Sequence, residues 1–418
     1  MKRLLKQAFV SVPRLQVSLH IEGEDHLVGS LVKHQHQLLF EYERSFLDGQ
    51  LEISPLTLPL KTGVQQFNPN LFEGLPGVFN DSLPDGWGRL LFDRSLLQKG
   101  VHPKDISPLD RLAFIGTRAM GALSYQPDYG DDASLEFIDL DDLYQQTEAV
   151  LQGEADDVLT SLLSLNGSSA GARPKALLGI SRDKHQMTYN SEVTEGYEPW
   201  LIKFPNSQDG NDAGAIEYVY SLMAKQAGLN MTDSHLFPAK HSAGYFATKR
   251  FDRKGPQRLH SHSVCGLLHS DFRTPSLDYL DLLKLTRILN RDAPDTEMMF
   301  RYAVFNVLSH NRDDHAKNFS FLMDARGTWT LAPAYDITFS QGLMGEQSTM
   351  VLGEGRDIGQ QHLRELGQRI GLESEFVRGV LDETRQSLSQ WQNLAKTYGV
   401  SKDSVRVIQK QLAANQII

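Results

Sequence analysis

Residues 309–318, Ser309-His310-Asn311-Arg312-Asp313-Asp314-His315-Ala316-Lys317-Asn318, followed by Ala334-Tyr335-Asp336-Ile337, hold a spacing that can do chemistry. A carboxylate at Asp313, an amide at Asn318 and a further carboxylate at Asp336 match the needs of phosphoryl transfer, where catalysis is mostly positioning and charge neutralisation. Asp313 would orient an acceptor hydroxyl and take its proton, while Asn318 and Asp336 would give oxygen ligands to Mg²⁺. The same chemistry needs a cation on the nucleotide phosphates. Lys203, in Trp200-Leu201-Ile202-Lys203-Phe204-Pro205, is the candidate, because a lysine on an apolar strand is costly unless it is paired. Glu217, on the next helix, could be its partner.

A second segment belongs with these residues. Asn166-Gly167-Ser168-Ser169-Ala170-Gly171-Ala172-Arg173-Pro174-Lys175 is a small-residue loop leading into a strand, and few side chains would stand between its backbone N–H groups and a phosphate. It has neither a Walker pattern nor Gly-x-Gly-x-x-Gly. Each feature alone has a plainer description: a solvated, salt-bridged turn for Arg312 to Lys317, an edge lysine for Lys203, a surface loop for 166–175. Their order along the chain, with a hairpin expected around Ala325-Arg326-Gly327 between the two ligands, favours the chemical reading. His315 reads as a hydrogen-bonding anchor of the loop rather than a base. His260-Ser261-His262 with His269 reads as a polar loop, since no clear carboxylate or thiolate set accompanies it as a metal site would require.

The elements that must position these groups fall into a strand-rich half and a helical half. Period-2 alternation predicts strands at 16–21, 26–33 and 37–42. A helix over 87–98 follows the turn Pro84-Asp85-Gly86, and Ser107-Pro108-Leu109-Asp110 is a capped helix start. A polar, turn-rich stretch at 126–134 marks a domain boundary, giving domains 1–128, 129–253 and 254–418. Beyond it a helix is expected at 140–152 and strands at 175–181, 187–189 and 200–204. An amphipathic helix at 212–227 presents Ile216, Val219, Tyr220 and Met223 and stops at Gly228. Strands at 234–237 and 245–250 precede helices at 279–289, 295–310, 360–370, 373–398 and 402–416. This pattern is an α+β arrangement with a cleft between two lobes.

Composition narrows the function. In 418 residues, 42 basic and 52 acidic side chains leave a net charge of −10, which disfavours autonomous binding to a nucleic-acid backbone. One cysteine, Cys265, excludes an intrachain disulfide and a Cys-based zinc site and fits a buried hydrophobe in a reducing compartment. No apolar run approaches a membrane span, and the first residues lack a secretory h-region, so a cytoplasmic protein is expected.

Five ordered motifs carry a resemblance. Gly171-Ala172-Arg173-Pro174-Lys175, Ile202-Lys203-Phe204-Pro205, Lys249-Arg250-Phe251-Asp252-Arg253, Asn311 to Ser320 and Pro333-Ala334-Tyr335-Asp336-Ile337 together resemble HipA-family serine/threonine kinases, the toxins of bacterial toxin–antitoxin pairs. Residues 78–88, Val78-Phe79-Asn80-Asp81-Ser82-Leu83-Pro84-Asp85-Gly86-Trp87-Gly88, are similar to the family's N-terminal subdomain. The resemblance implies a two-lobed, protein-kinase-like fold related to phosphatidylinositol kinases, with an N-terminal β-rich subdomain and a helical C-terminal lobe. It implies ATP and Mg²⁺ as cofactors, Asp313 and Lys203 as catalytic residues, and Asn318 and Asp336 as metal ligands. Nucleotide contacts would come from Ser168, Ser169, Ala170, Gly171, Ala172, Lys175 and Lys317, with Lys249, Arg250 and Phe251 near the adenine. Ser168, or its neighbour Ser169, would be autophosphorylated. The implied partners are a helix-turn-helix antitoxin of HipB type, through which DNA would mainly be reached, and a protein substrate such as an aminoacyl-tRNA synthetase or another translation factor. One departure stands out: relatives often carry a Glu-Asp pair after Phe-Asp-Arg, where this chain has Leu259-His260-Ser261-His262-Ser263-Val264. A small-molecule or lipid kinase, and a corepressor without turnover, are the competing functions.

Overall fold

Alternation builds the first sheet. Along β1 (Arg14–Ile21), Leu15, Val17, Leu19 and Ile21 are buried while their neighbours are more exposed, as the period of an extended strand requires. In this computed structural model, which describes residues 11–130, 138–154, 159–168, 171–189, 195–206, 209–255, 257–272 and 276–417, β1 pairs antiparallel with β2 (Glu24–His34). Glu22 and Gly23 between them have φ of 51° and 85°, the two left-handed residues of a tight hairpin turn. β3 (Gln37–Tyr42), β4 (Gln65–Gln66) and β5 (Leu123–Gln126) complete the order β4-β3-β2-β1-β5. Phe40, Phe79 and Tyr125, all at 0% exposure, form its aromatic core, with ring centroids 5.1 Å and 6.3 Å apart along the series.

The helix Pro108–Ile115 starts as its sequence predicts: Ser107 and Asp110 form a reciprocal capping box, and the Asp110 carboxylate also accepts the Val12 N–H at 2.6 Å. The helices Gly86–Gln98 and Leu159–Asn166 pack together. After them β6 (Lys175–Ser181) pairs with β7 (Met187–Thr188) on one side and β8 (Tyr197–Lys203) on the other. In this ladder Lys175 stands directly opposite Lys203.

The chain divides into two compact units. Met1–Phe204, Asp252–His262 and Asp324–Gly327 make the first; Pro205–Phe251, Ser263–Met323 and Thr328–Ile418 make the second. The second is built on the helix Ala293–Leu308, where Val304, Phe305, Asn306, Val307 and Leu308 are all buried. A helix apolar around its circumference belongs inside a core, and the helices Tyr279–Leu289 and Ser374–Leu388 pack on it. The helix Ala213–Gln226 is held by Tyr220, whose hydroxyl donates to the Ser309 carbonyl at 2.8 Å and whose ring lies 5.7 Å from Trp391.

Three expectations need correction. Ile216 is only half-buried on that helix, whereas Glu217 is 2% exposed. The helix expected over 373–398 is two, Ser374–Leu388 and Trp391–Thr397, broken at Ser389 and Gln390. His260-Ser261-His262 is not a polar loop but part of the strand His260–Ser263, with both imidazoles at 0% exposure. Each finds a polar partner: His260 Nε2 meets the Ile53 carbonyl at 2.8 Å, and His262 lies between Asp81 (2.6 Å) and Ser54 (3.0 Å). Burial, then the neighbouring His262, holds the His260 imidazole down at about 4, so it is neutral. Among the described residues no group of three or more His, Cys, Asp or Glu could hold a metal, and no helix is long and apolar enough to cross a membrane. Cys265 is buried, as expected.

Candidate active site

The loop carrying Asp313 is fixed at its start by the way the preceding helix ends. His310 adopts a left-handed φ of 58°, and the Asn311 N–H reaches back to the Asn306 carbonyl at 2.9 Å, a Schellman-type stop with His in the position glycine usually takes. Arg312 then runs beside Ser340 and Ser348: its N–H donates to the Ser340 carbonyl at 3.4 Å, and its own carbonyl accepts the Ser348 N–H at 3.1 Å and hydroxyl at 2.9 Å. Its guanidinium donates to the Gly345 carbonyl.

Below the loop lies a carboxylate that spacing alone did not single out. Asp314 is at 0% exposure; it accepts the Tyr279 hydroxyl at 2.5 Å, the Gln347 amide at 2.9 Å and the Thr349 N–H at 3.1 Å. The network continues from Tyr279 to Asn306 at 3.0 Å and from Asn306 to Asn311 at 3.0 Å, and Gln347 also donates to the Asn311 carbonyl at 2.7 Å. Burial pushes the Asp314 carboxyl up to about 7, against the lowering pull of those donors. A buried carboxylate with several donors fixes both faces of a loop at once. Its neighbour Asp313 is left exposed.

Asn318 ends the single 3₁₀ turn Ala316–Asn318. Its side-chain N–H donates to the Asp313 carbonyl at 2.7 Å, which ties the two residues together and leaves the amide oxygen as the atom able to meet a cation. From there the chain enters a hairpin, Ser320–Met323 with Trp329–Leu331, antiparallel as expected. Past it Asp336 has a left-handed φ of 55°, a conformation Asp tolerates better than most residues. Tyr335 secures this return: its hydroxyl donates to the Lys317 carbonyl at 2.5 Å and meets Ser320 at 2.6 Å, while its ring lies 5.3 Å from Phe251. Asn318, Asp336, Asp314 and Asn311 line one small cavity. One carboxylate and one amide oxygen on a small cavity form the hard-oxygen donor set that suits Mg²⁺, which keeps several waters and takes few protein ligands; the residues fit the ion.

The second unit thus brings Asn318 and Asp336 together, with Asp313 joined through Asn318. Lys317 is nearby, its ammonium 4.6 Å over the Phe272 ring. Phe251 reaches the group through Tyr335, Arg250 is 5% exposed, and the Lys249 N–H is held by the Asp233 carbonyl at 2.9 Å. His315 does not anchor the loop as expected: its ring packs 5.3 Å from Phe272, and Nδ1 is buried with no hydrogen-bond partner among the described residues.

In the first unit, Lys203 is half-buried at the end of β8 and Lys175, opposite it, is 4% exposed. Like charges facing across a ladder are unfavourable unless something negative joins them. Ser168 is 2% exposed, its hydroxyl accepting the Met120 N–H at 2.7 Å; Gly171 is half-buried and Ala172 exposed. Ser169 and Ala170 lie outside the described residues.

The chain is similar to known proteins in sequence and in fold. The HipA N-terminal domain matches residues 19–126 and the HipA-like C-terminal domain residues 167–392. Two proteins of Sinorhizobium fredii (strain NBRC 101917 / NGR234) are similar in sequence. "Putative kinase Y4mE" is 26% identical over 93% of this chain and 94% of its own length, and "Putative kinase Y4dM" 24% identical over 76% and 75%. The fold is that of HipA in the Shewanella oneidensis MR-1 complex of HipA, HipB and operator DNA, at a TM-score of 0.70 and 17% identity over 96% of each chain; it is the kinase-like fold expected. Matched over more than half its length by one HipA domain and over most of the preceding part by the other, the chain belongs to the HipA family.

Proposed function

We propose that this chain is an ATP-dependent serine/threonine protein kinase acting as the toxin of a toxin–antitoxin pair. The observation that carries the reading is the meeting of Asn318 and Asp336 on one cavity, with Asp313 tied to Asn318 by a 2.7 Å hydrogen bond. Asp313 would accept the proton of the acceptor hydroxyl, and its exposure suits a large protein substrate. Asn318 and Asp336 would hold Mg²⁺, which when bound neutralises charge on the transferred phosphoryl group. Lys203 and Lys175, opposed on their ladder, would bind the nucleotide phosphates together with the small-residue loop from Ser168 to Ala172. Lys249, Arg250 and Phe251 would border the adenine, and Lys317 would join the phosphate contacts.

Regulation by self-phosphorylation fits Ser168. A phosphate adds about −1.5 to −2 charges, and a 2% exposed hydroxyl already taken by the Met120 N–H has no room for it. Modification would eject the loop and silence the enzyme. The Shewanella complex includes HipB and operator DNA, which supports a HipB-type helix-turn-helix antitoxin as partner here, and the net charge of −10 favours DNA contact mainly through it. The substrate class is a translation protein such as an aminoacyl-tRNA synthetase, and the setting cytoplasmic.

Incubation of the purified protein with labelled ATP tests the reading. Labelled protein is expected; labelled metabolite would indicate a small-molecule or lipid kinase, and no transfer a corepressor without turnover. Asp313→Ala should lower the rate by roughly 10²- to 10⁴-fold, the usual worth of a general base.

A further inference from the structure

The small-residue loop is held by backbone and side-chain groups of the N-terminal domain, at both of its described ends. Gly171 is gripped twice: its N–H donates to the Asp85 carboxylate at 2.5 Å, and its carbonyl accepts the Trp87 N–H at 3.1 Å. Between those two contacts sits Gly86, with φ of 43°; a Cβ there would lie 2.5 Å from the Gly171 carbonyl oxygen and 2.7 Å from Ala172 Cα. Both are backbone atoms, so no rotamer change could make space. At the other end Ser168 accepts the Met120 N–H at 2.7 Å.

The segment around Met120 is itself braced. The Gly121 N–H donates to the Asp252 carboxylate at 2.6 Å, and Arg253 donates to the Gly121 carbonyl and to Asp252, each at 2.8 Å. Asp252 is at 0% exposure. A small-residue loop has little conformational preference of its own, so its geometry has to come from outside it.

We infer that the Asp85-Gly86-Trp87 turn is the seat of this loop, and that Asp85 is a positioning residue for nucleotide binding. This rests on the kinase reading, in which the loop meets the phosphates. Asp85 acts through Gly171: it fixes the direction of that peptide before a nucleotide arrives, so the cost of orienting it is not met on binding. The N-terminal domain is then part of the nucleotide machinery. Gly86 is required because the turn must approach the loop backbone more closely than any side chain allows.

The test uses the full chain and three variants, Asp85→Ala, Asp85→Asn and Gly86→Ala, with melting curves confirming that each folds. Amide hydrogen exchange of the 166–178 peptide reads the seat without reference to activity. Asp85→Ala and Gly86→Ala should speed it about tenfold or more, and Asp85→Asn, which keeps an acceptor oxygen, should restore most of the protection. Steady-state kinetics then read the role. The KM for ATP should rise about 10- to 100-fold in Asp85→Ala, as for loss of one charge-assisted hydrogen bond. The kcat should change less than about threefold, a split that general loss of fold would not give. Unchanged exchange in both Asp85→Ala and Gly86→Ala overturns the seat. Faster exchange with an unchanged or lower KM overturns the positioning role. If the wild type neither binds nor turns over ATP, the kinase reading and the positioning role fall together, and the exchange result still decides the seat.

Discussion

Replacing Asp314 by Asn should change how stability depends on pH more than it changes anything visible in the fold. Burial raises this carboxyl from 3.8 to about 7 in the folded chain. Because the folded value lies above the unfolded one, the native state binds the extra proton between them, and stability is greatest at low pH and falls as pH rises toward 7. The slope is about 1.4 kcal/mol per pH unit, so about 2–3 kcal/mol should be lost between pH 5 and 7, with a plateau above. Asn cannot titrate and sets an N–H₂ against at least one of the three donors from Tyr279, Gln347 and Thr349, at a cost of about 1–3 kcal/mol. Urea unfolding of both proteins at pH 5, 6, 7 and 8, followed through tryptophan fluorescence, isolates the difference. The wild type should exceed the variant most at pH 5, with the gap narrowing to a constant above pH 7. A gap independent of pH would refute the reasoning, because the three donors would then keep Asp314 ionised throughout and offset its burial completely.

Two further outcomes follow from the site. A Ser168→Ala and Ser169→Ala double variant should stay active under conditions where the wild type silences itself, as read by labelled-ATP turnover over time; normal self-inactivation in the double variant would remove the loop from that role. Asn318→Ala takes away an oxygen ligand and the 2.7 Å tie to Asp313 together. The Mg²⁺ concentration for half-maximal rate should rise by at least the roughly 10- to 100-fold that loss of an outer-shell partner costs, and an unchanged titration would exclude Asn318 as a ligand.

Much of the architecture is local and was therefore legible. The strand Gln37–Tyr42 and the helices Leu140–Gln152 and Tyr279–Leu289 fall where alternation, spacing and capping place them, since short-range sterics decide such elements. The break at Ser389 and Gln390 was not legible because no Gly or Pro marks it; packing of Trp391, at 0% exposure, overrides the helical preference of the surrounding residues. His260 and His262 read as polar loop residues by type. Their burial depends on Ile53, Ser54 and Asp81, some two hundred residues distant, and no local pattern encodes that. The same holds within the site. Asp313, Asn318 and Asp336 are visible by order and residue type, while Asp314 is hidden beside Asp313: two adjacent aspartates look alike until one is seen to be buried under three donors. Glu217, read from the sequence as a possible partner for Lys203, is buried by the fold.

The left-handed backbone at Asp336 constrains how such a protein can decay. Most side chains are strained at φ near 55°, whereas Asp, Asn and Gly are not. Mutational drift away from turnover therefore has a narrow exit. A lineage that lost turnover could pass through Asn or Gly at this position at little cost to the backbone, whereas most other replacements would carry about 1–2 kcal/mol of strain. Among descendants that have become binding proteins, an Asn or Gly at this site should be the common scar.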